Sequence, residues 1–282
     1  MNSIECDDVI CQYNNPQKIH EGGQRVVYRV DHPTYGFAAL KIGYYSTPTS
    51  QRGWELQRIE REITILQQIN SRFYPKNYDF QKISNNRYFI LEEYLNSPSL
   101  THCMDRFYSP LSALKLTRQL AEGLKIIWDL KVVHRDLKPD NILINDDNTP
   151  RIIDLGIARM LELDSITQTR FGGPLSREYA APEQHKYDKA LINWRTDQYN
   201  LGIILMQLIL KGHHPFSPGL VGGNSIQENI MNDKWYKGAF ADANLLPLQP
   251  IVSNLLGFEQ YDRYRTFDLL TCDLDSYLEG YK

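Results

Sequence analysis

The sequence predicts an α+β chain in which a small β-rich part containing one helix precedes a larger, mainly helical part. Three observations predict it. The first third favours strands at Arg25–Val30, Phe37–Ile42, Tyr78–Ile83 and Arg87–Glu93. The last two bracket Asn85-Asn86, a turn signal because asparagine tolerates positive φ. Between these strands, Gly53–Ile69 carries Ile59, Ile63, Leu66 and Ile69 at three- and four-residue spacings, which line up one apolar stripe on a helix. After Asn96-Ser97-Pro98 the pattern changes. Leu111–Leu130 predicts a long helix, short strands at Ile142–Ile144 and Arg151–Asp154 flank a turn at Asn145–Asn148, and helices dominate beyond Pro182.

Composition limits what such a chain can do. With 282 residues, 42% hydrophobic and 11% aromatic, it can build a real core. Thirty-one basic against 34 acidic residues leave a formal charge of −3, which argues against a general nucleic-acid binder. Four cysteines, Cys6, Cys11, Cys103 and Cys272, form no CxxC pair and read as thiols of a reducing compartment. The N-terminus lacks the basic and apolar regions of a signal peptide. The longest apolar run, Leu201–Leu210, contains Gln207, is too short to span a bilayer, and reads as a buried helix. The expectation is a cytoplasmic protein with no membrane or nucleic-acid partner.

The chemistry concentrates in His134-Arg135-Asp136-Leu137-Lys138-Pro139-Asp140-Asn141. A carboxylate can orient a hydroxyl and accept its proton, an amide oxygen can hold Mg²⁺, and a nearby ammonium can steady a moving phosphoryl group. This segment resembles the catalytic loop of the protein kinases, of form H-R-D-x-x-x-x-N. The resemblance assigns Asp136 as base, Lys138 as phosphate partner and Asn141 as a metal ligand. Lys138, two positions after the aspartate, matches the serine/threonine branch.

Further markers follow the same order as in that family, from about residue 18 to 274. Asp154-Leu155-Gly156, thirteen residues after Asn141, is similar to D-F-G with leucine for phenylalanine, which makes Asp154 the second metal ligand. Phe37-Ala38-Ala39-Leu40-Lys41 resembles V-A-I-K, so Lys41 is expected on the α/β-phosphates of ATP, with Glu62 as its ion-pair partner. Ala181-Pro182-Glu183 matches A-P-E, whose glutamate pairs with a late arginine, Arg263 or Arg265. Asp197 resembles the buried aspartate that braces the catalytic loop. The resemblance implies a bilobal fold in one domain, 1–282: an N-lobe at about 13–94, a hinge at 93–97 and a C-lobe at about 98–278. Nucleotides tend to bind where two such lobes meet.

For the nucleotide the resemblance names Ile19, Val27 and Ala39 above the adenine, Leu143 below it, and backbone groups of Glu93 and Leu95 at its edge. Glu92 then takes the gatekeeper position. Gly22 and Gly23 belong to a phosphate loop in which His20 and Arg25 replace two family glycines. Losing them stiffens the loop, and Arg25 is expected to face solvent. Ser165, Thr167 and Thr169 are candidate phosphorylation sites, and Ser176 stands where a hydroxyl lies beside the catalytic residues. The activity implied is serine/threonine protein kinase with ATP and Mg²⁺, including autophosphorylation, with a protein substrate and a separate regulatory protein as partners. The His20 and Arg25 departures motivate an alternative, an impaired kinase fold that only binds. A small-molecule phosphotransferase is disfavoured by Lys138, the A-P-E stretch and Asp197.

Overall fold

The computed structural model describes residues 8–21, 25–44, 64, 67–84, 87–155, 159–160, 177–186 and 188–280. The chain divides into two compact units, Met1–Asn96 and Ser97–Lys282.

The first unit is built on five strands: β1 (Asn14–Glu21), β2 (Arg25–His32), β3 (Gly36–Tyr44), β4 (Asn77–Ser84) and β5 (Arg87–Glu93). They form one sheet in the order β1-β2-β3-β5-β4, every neighbouring pair antiparallel. Alternation along the strands decides what each face carries. Val30, Ala38, Leu40, Ile42, Phe89 and Leu91 point to one side and form a core with Val9, from a helical turn at 8–10. Each large apolar side chain buried there contributes about 1.5–3 kcal/mol. The intervening residues occupy the other face. The register Val27↔Lys41↔Ile90 and Ala39↔Glu92 brings these five residues together there.

Strand β1 is absent from the expectations above. All eight of its residues are exposed, so it has no buried face to impose alternation on the sequence. Its pairing with β2 is also irregular beside Pro16, and proline is tolerated at such an edge. The helix expected over Gly53–Ile69 lies almost entirely outside the described residues; Ile69 is buried.

Arg25 departs from expectation. It is half-buried, and its Nε donates to the Tyr88 hydroxyl at 2.8 Å. The tyrosine reaches β2 by crossing Gly43 on the intervening strand, where a Cβ would fall 2.2 Å from its ring. An arginine in this register finds a buried phenol within reach, so it stays on the sheet. Gly43→Val is expected to destabilise the chain by about 1–3 kcal/mol through overpacking, read as a lower denaturation midpoint.

The second unit is mainly helical: α1 (Leu100–Cys103), α2 (Pro110–Asp129), α3 (Pro182–His185), α4 (Trp194–Ile209), α5 (Pro218–Val221), α6 (Ile226–Met231), α7 (Gln249–Leu255) and α8 (Phe267–Gly280). Ser109 caps α2, its side chain accepting from the Ser112 amide with Pro110 in the first turn. Asn193 caps α4 in the same way. Helix α4 is buried from Thr196 to Ile209, as its apolar run predicts. Gly202 allows α7 to approach, since a Cβ there would meet Leu255 and Leu256 at 2.8–2.9 Å. Short strands complete the unit: β6 (Val132–Val133) pairs with β9 (Arg159–Met160), and β7 (Ile142–Ile144) with β8 (Pro150–Ile152). Among the described residues, no helix is long and apolar enough to cross a membrane.

Just after α4, His214 is buried against Tyr179 and Phe216. Burial pushes its pKa down to about 4, against an opposing backbone interaction at Glu178. A histidine whose folded-state value is depressed keeps its full contribution above the unfolded value near 6.5 and loses it as pH falls toward 4. We expect a loss of about 3 kcal/mol across that window, with His185, depressed in the same direction by burial, adding to it. Thermal melts between pH 7 and 4.5 should be visibly flatter for His214→Asn, which keeps an acceptor for the Phe216 amide.

Candidate active site

In the second unit, β6 delivers His134 to the base of a loop fixed by buried groups. The Asp197 carboxylate on α4 accepts from the Trp128 indole (2.8 Å), the His134 amide (2.9 Å) and the Arg135 amide (2.8 Å). Burial raises the Asp197 pKa above the ordinary carboxylate value, and these donors and His134 pull it back. Arg135 takes a left-handed backbone at φ 70°, and its carbonyl accepts from the Gln184 side chain at 2.8 Å. His134 accepts from the Asp136 amide through Nδ1, so its Nε2–H faces the Ile153 carbonyl at 3.2 Å.

The polar side chains of the loop converge on one another. Lys138 Nζ lies 3.3 Å from the Asp136 carboxylate. Asn141 Nδ2 donates to the Asp136 carbonyl at 2.8 Å and approaches its carboxylate at 3.3 Å. With the amide nitrogen committed to two acceptors, the Asn141 oxygen is the atom left to hold a cation.

The β7–β8 hairpin sets where Asp154 stands. Its turn is closed by the Asn148 amide on the Asn145 carbonyl, with Asn148 at φ 62°. At the open end the Ile153 amide donates to the Asn141 carbonyl at 2.9 Å, so Asn141 and Asp154 occupy the same end of one hairpin. Asp154 is exposed at φ 65°, and Leu155 beside it is buried. Leu143, half-buried, lies mid-hairpin opposite Arg151. Asp136, Asn141 and Asp154 offer hard oxygen atoms, the donor type that Mg²⁺ takes. Among the described residues, no three His, Cys, Asp or Glu side chains cluster as metal ligands.

In the first unit, Val27, Ala39 and Lys41 share the face opposite the core, and Ile19 is exposed on β1. The Glu93 amide donates to the Lys76 carbonyl at 2.8 Å, and Leu95 follows just after β5. Lys41 forms an ion pair with Glu92 on the neighbouring strand, Nζ to Oε1 at 2.5 Å, the side chains 14% and 7% exposed. Gly22, Gly23, Glu62, Gly156, Ser165, Thr167, Thr169 and Ser176 lie outside the described residues.

Two buried contacts around the site were not anticipated. Gln184 directly follows the A-P-E stretch, yet nothing in its position announces a bond to Arg135. The Lys41–Glu92 pair left one trace in the sequence, a carboxylate directly after the apolar run Tyr88–Leu91 of β5. Of the two arginines considered for Glu183, the partner is Arg263, in a two-pronged pair at 2.8 and 2.9 Å.

Comparison with known proteins agrees with this arrangement. The family model described as Protein kinase domain matches residues 13–266. Myosin light chain kinase 3 of Danio rerio is 31% identical over 187 residues, which cover 64% of this chain and 25% of that protein. Serine/threonine-protein kinase cst-1 of Caenorhabditis briggsae is 30% identical over 205 residues, 71% of this chain and 39% of its own length. The chain thus aligns with well under half the length of each of these two relatives.

Proposed function

Because this chain belongs to the protein kinase family, we propose that it transfers the γ-phosphate of Mg-ATP to serine and threonine hydroxyls of protein substrates, its own included. The observation that carries this reading is the loop in which Asp136, Lys138 and Asn141 bond to one another over a buried Asp197 brace. Asp136 orients the incoming hydroxyl and accepts its proton. Lys138 holds charge on the moving phosphoryl group, and Lys41 holds the α/β-phosphates. Asn141, through its amide oxygen, and Asp154, through its carboxylate, would hold Mg²⁺, which when bound neutralises phosphate charge.

The choice of serine/threonine rests on Lys138 and on the similarity to serine/threonine-protein kinase cst-1. Ile19, Gly22, Gly23, Val27, Ala39, Glu93, Leu95 and Leu143 are proposed around the nucleotide base and phosphates, with Glu62 as a second carboxylate for Lys41. The domain limits proposed are 1–282, and the setting is cytoplasmic. Purified protein incubated with Mg-ATP and a mixed peptide substrate tests the reading. Phosphoserine and phosphothreonine without phosphotyrosine are expected by mass spectrometry; transfer to tyrosine alone would refute the substrate class. Nucleotide binding without any transfer would favour the impaired module that His20 and Arg25 motivate.

A further inference from the structure

The first unit holds an ion pair that the family resemblance does not assign. Strands β3 and β5 run antiparallel over seven residue pairs, with Lys41 opposite Ile90 and Glu92 opposite Ala39. Lysine and glutamate are therefore diagonal neighbours on one face, close enough for long side chains to meet. They do meet, at 2.5 Å, with both side chains largely withdrawn from water. A carboxylate this buried would be costly without a counter-charge, and so would the ammonium. Each therefore restrains the other, and the pairing of β3 with β5 places them side by side.

We propose that Glu92 is a positioning residue for Lys41: it holds the ammonium from within the sheet, where the lysine meets nucleotide phosphate. The inference rests on the kinase reading for its consequence in catalysis, but the pairing itself does not. An ammonium carries three donors, so Lys41 can keep Glu92 on one and offer the others to phosphate oxygens. Removing the carboxylate leaves a charge with fewer restraints, and catalysis is sensitive to displacement of that kind.

The experiment has two readouts on the full chain. The first is acylation of Lys41 by a succinimidyl ester at pH 8, measured by peptide mass spectrometry, with exposed Lys211 as internal control. Only the neutral amine reacts, and an ammonium that loses one adjacent carboxylate gives up its proton more readily. Glu92→Gln should raise the Lys41 rate about tenfold while leaving Lys211 unchanged. The second readout is steady-state kinetics in ATP. Glu92→Leu should lower kcat by about tenfold or more with a smaller change in KM, and Glu92→Gln, whose amide oxygen still accepts from Nζ, should recover much of it. If Glu92→Leu does not fold, Glu92→Gln and the labelling decide alone. Labelling that responds to Glu92 in a protein without transfer activity would uphold the pair and sink the kinase reading. Active protein whose labelling and kcat ignore both substitutions would overturn the inference.

Discussion

Asp136→Asn is expected to lower phosphate transfer by about 10²–10⁴-fold with little change in stability. The substitution keeps the volume and leaves an oxygen facing Lys138, but removes the group proposed to take the hydroxyl proton. The backbone at this position is held by other atoms: its amide by His134 Nδ1 and its carbonyl by Asn141 Nδ2. The loop should therefore keep its shape, and ATP binding should survive. Measuring kcat at saturating ATP, alongside a nucleotide titration and a thermal melt, separates the two properties. A large drop in melting temperature would mean that the carboxylate stabilises the fold instead, and unchanged kcat would remove Asp136 from the proposed mechanism.

The second large effect is on stability. Arg263 and Glu183 form a pair with side chains 0% and 3% exposed, and Arg263 also donates to the carbonyls of Gly257, Arg195 and Phe258. Burial opposes ionisation of Glu183, but the bonds and charge of Arg263, with Gln260 assisting, hold its carboxyl below the usual range. Arg263→Ala leaves a buried carboxylate without its counter-charge, together with three carbonyls that have lost a donor. We expect a loss of about 3–5 kcal/mol in unfolding free energy, measured by denaturant titration. Adding Glu183→Leu to Arg263→Met should cost clearly less than the sum of the two single changes, because neither charge is then stranded. Additive losses would show that the two side chains contribute independently.

How much of this was legible in the sequence depends on the range of the interaction. Alternation in Phe37–Ile42 is local, and it fixes that Lys41 and Ala39 leave the core side of β3. The run His134–Asn141 is likewise contiguous, and its resemblance to the kinase catalytic loop is what singled out Asp136, Lys138 and Asn141. The hairpin turn at Asn145–Asn148 explains why Asp154 stands beside Asn141 despite the residues between them. Strand β1 was not legible, because an exposed edge strand buries nothing and so leaves no periodic trace.

By itself, the sequence marked strands β2 to β5 and the long helices α2 and α4 through local periodicity, and its motifs, by their resemblance, marked the family and the composition of the catalytic loop. Only the tertiary structure decided that Glu183 takes Arg263 and not Arg265, that Tyr88 keeps Arg25 on the sheet, that Gln184 holds the Arg135 carbonyl, and that Lys41 meets Glu92. Each of these joins residues about 50 or more apart in the chain, and a buried charge or donor accepts whichever partner packing brings within about 3 Å. That distance is set by strand register and helix packing, which no short stretch of sequence contains.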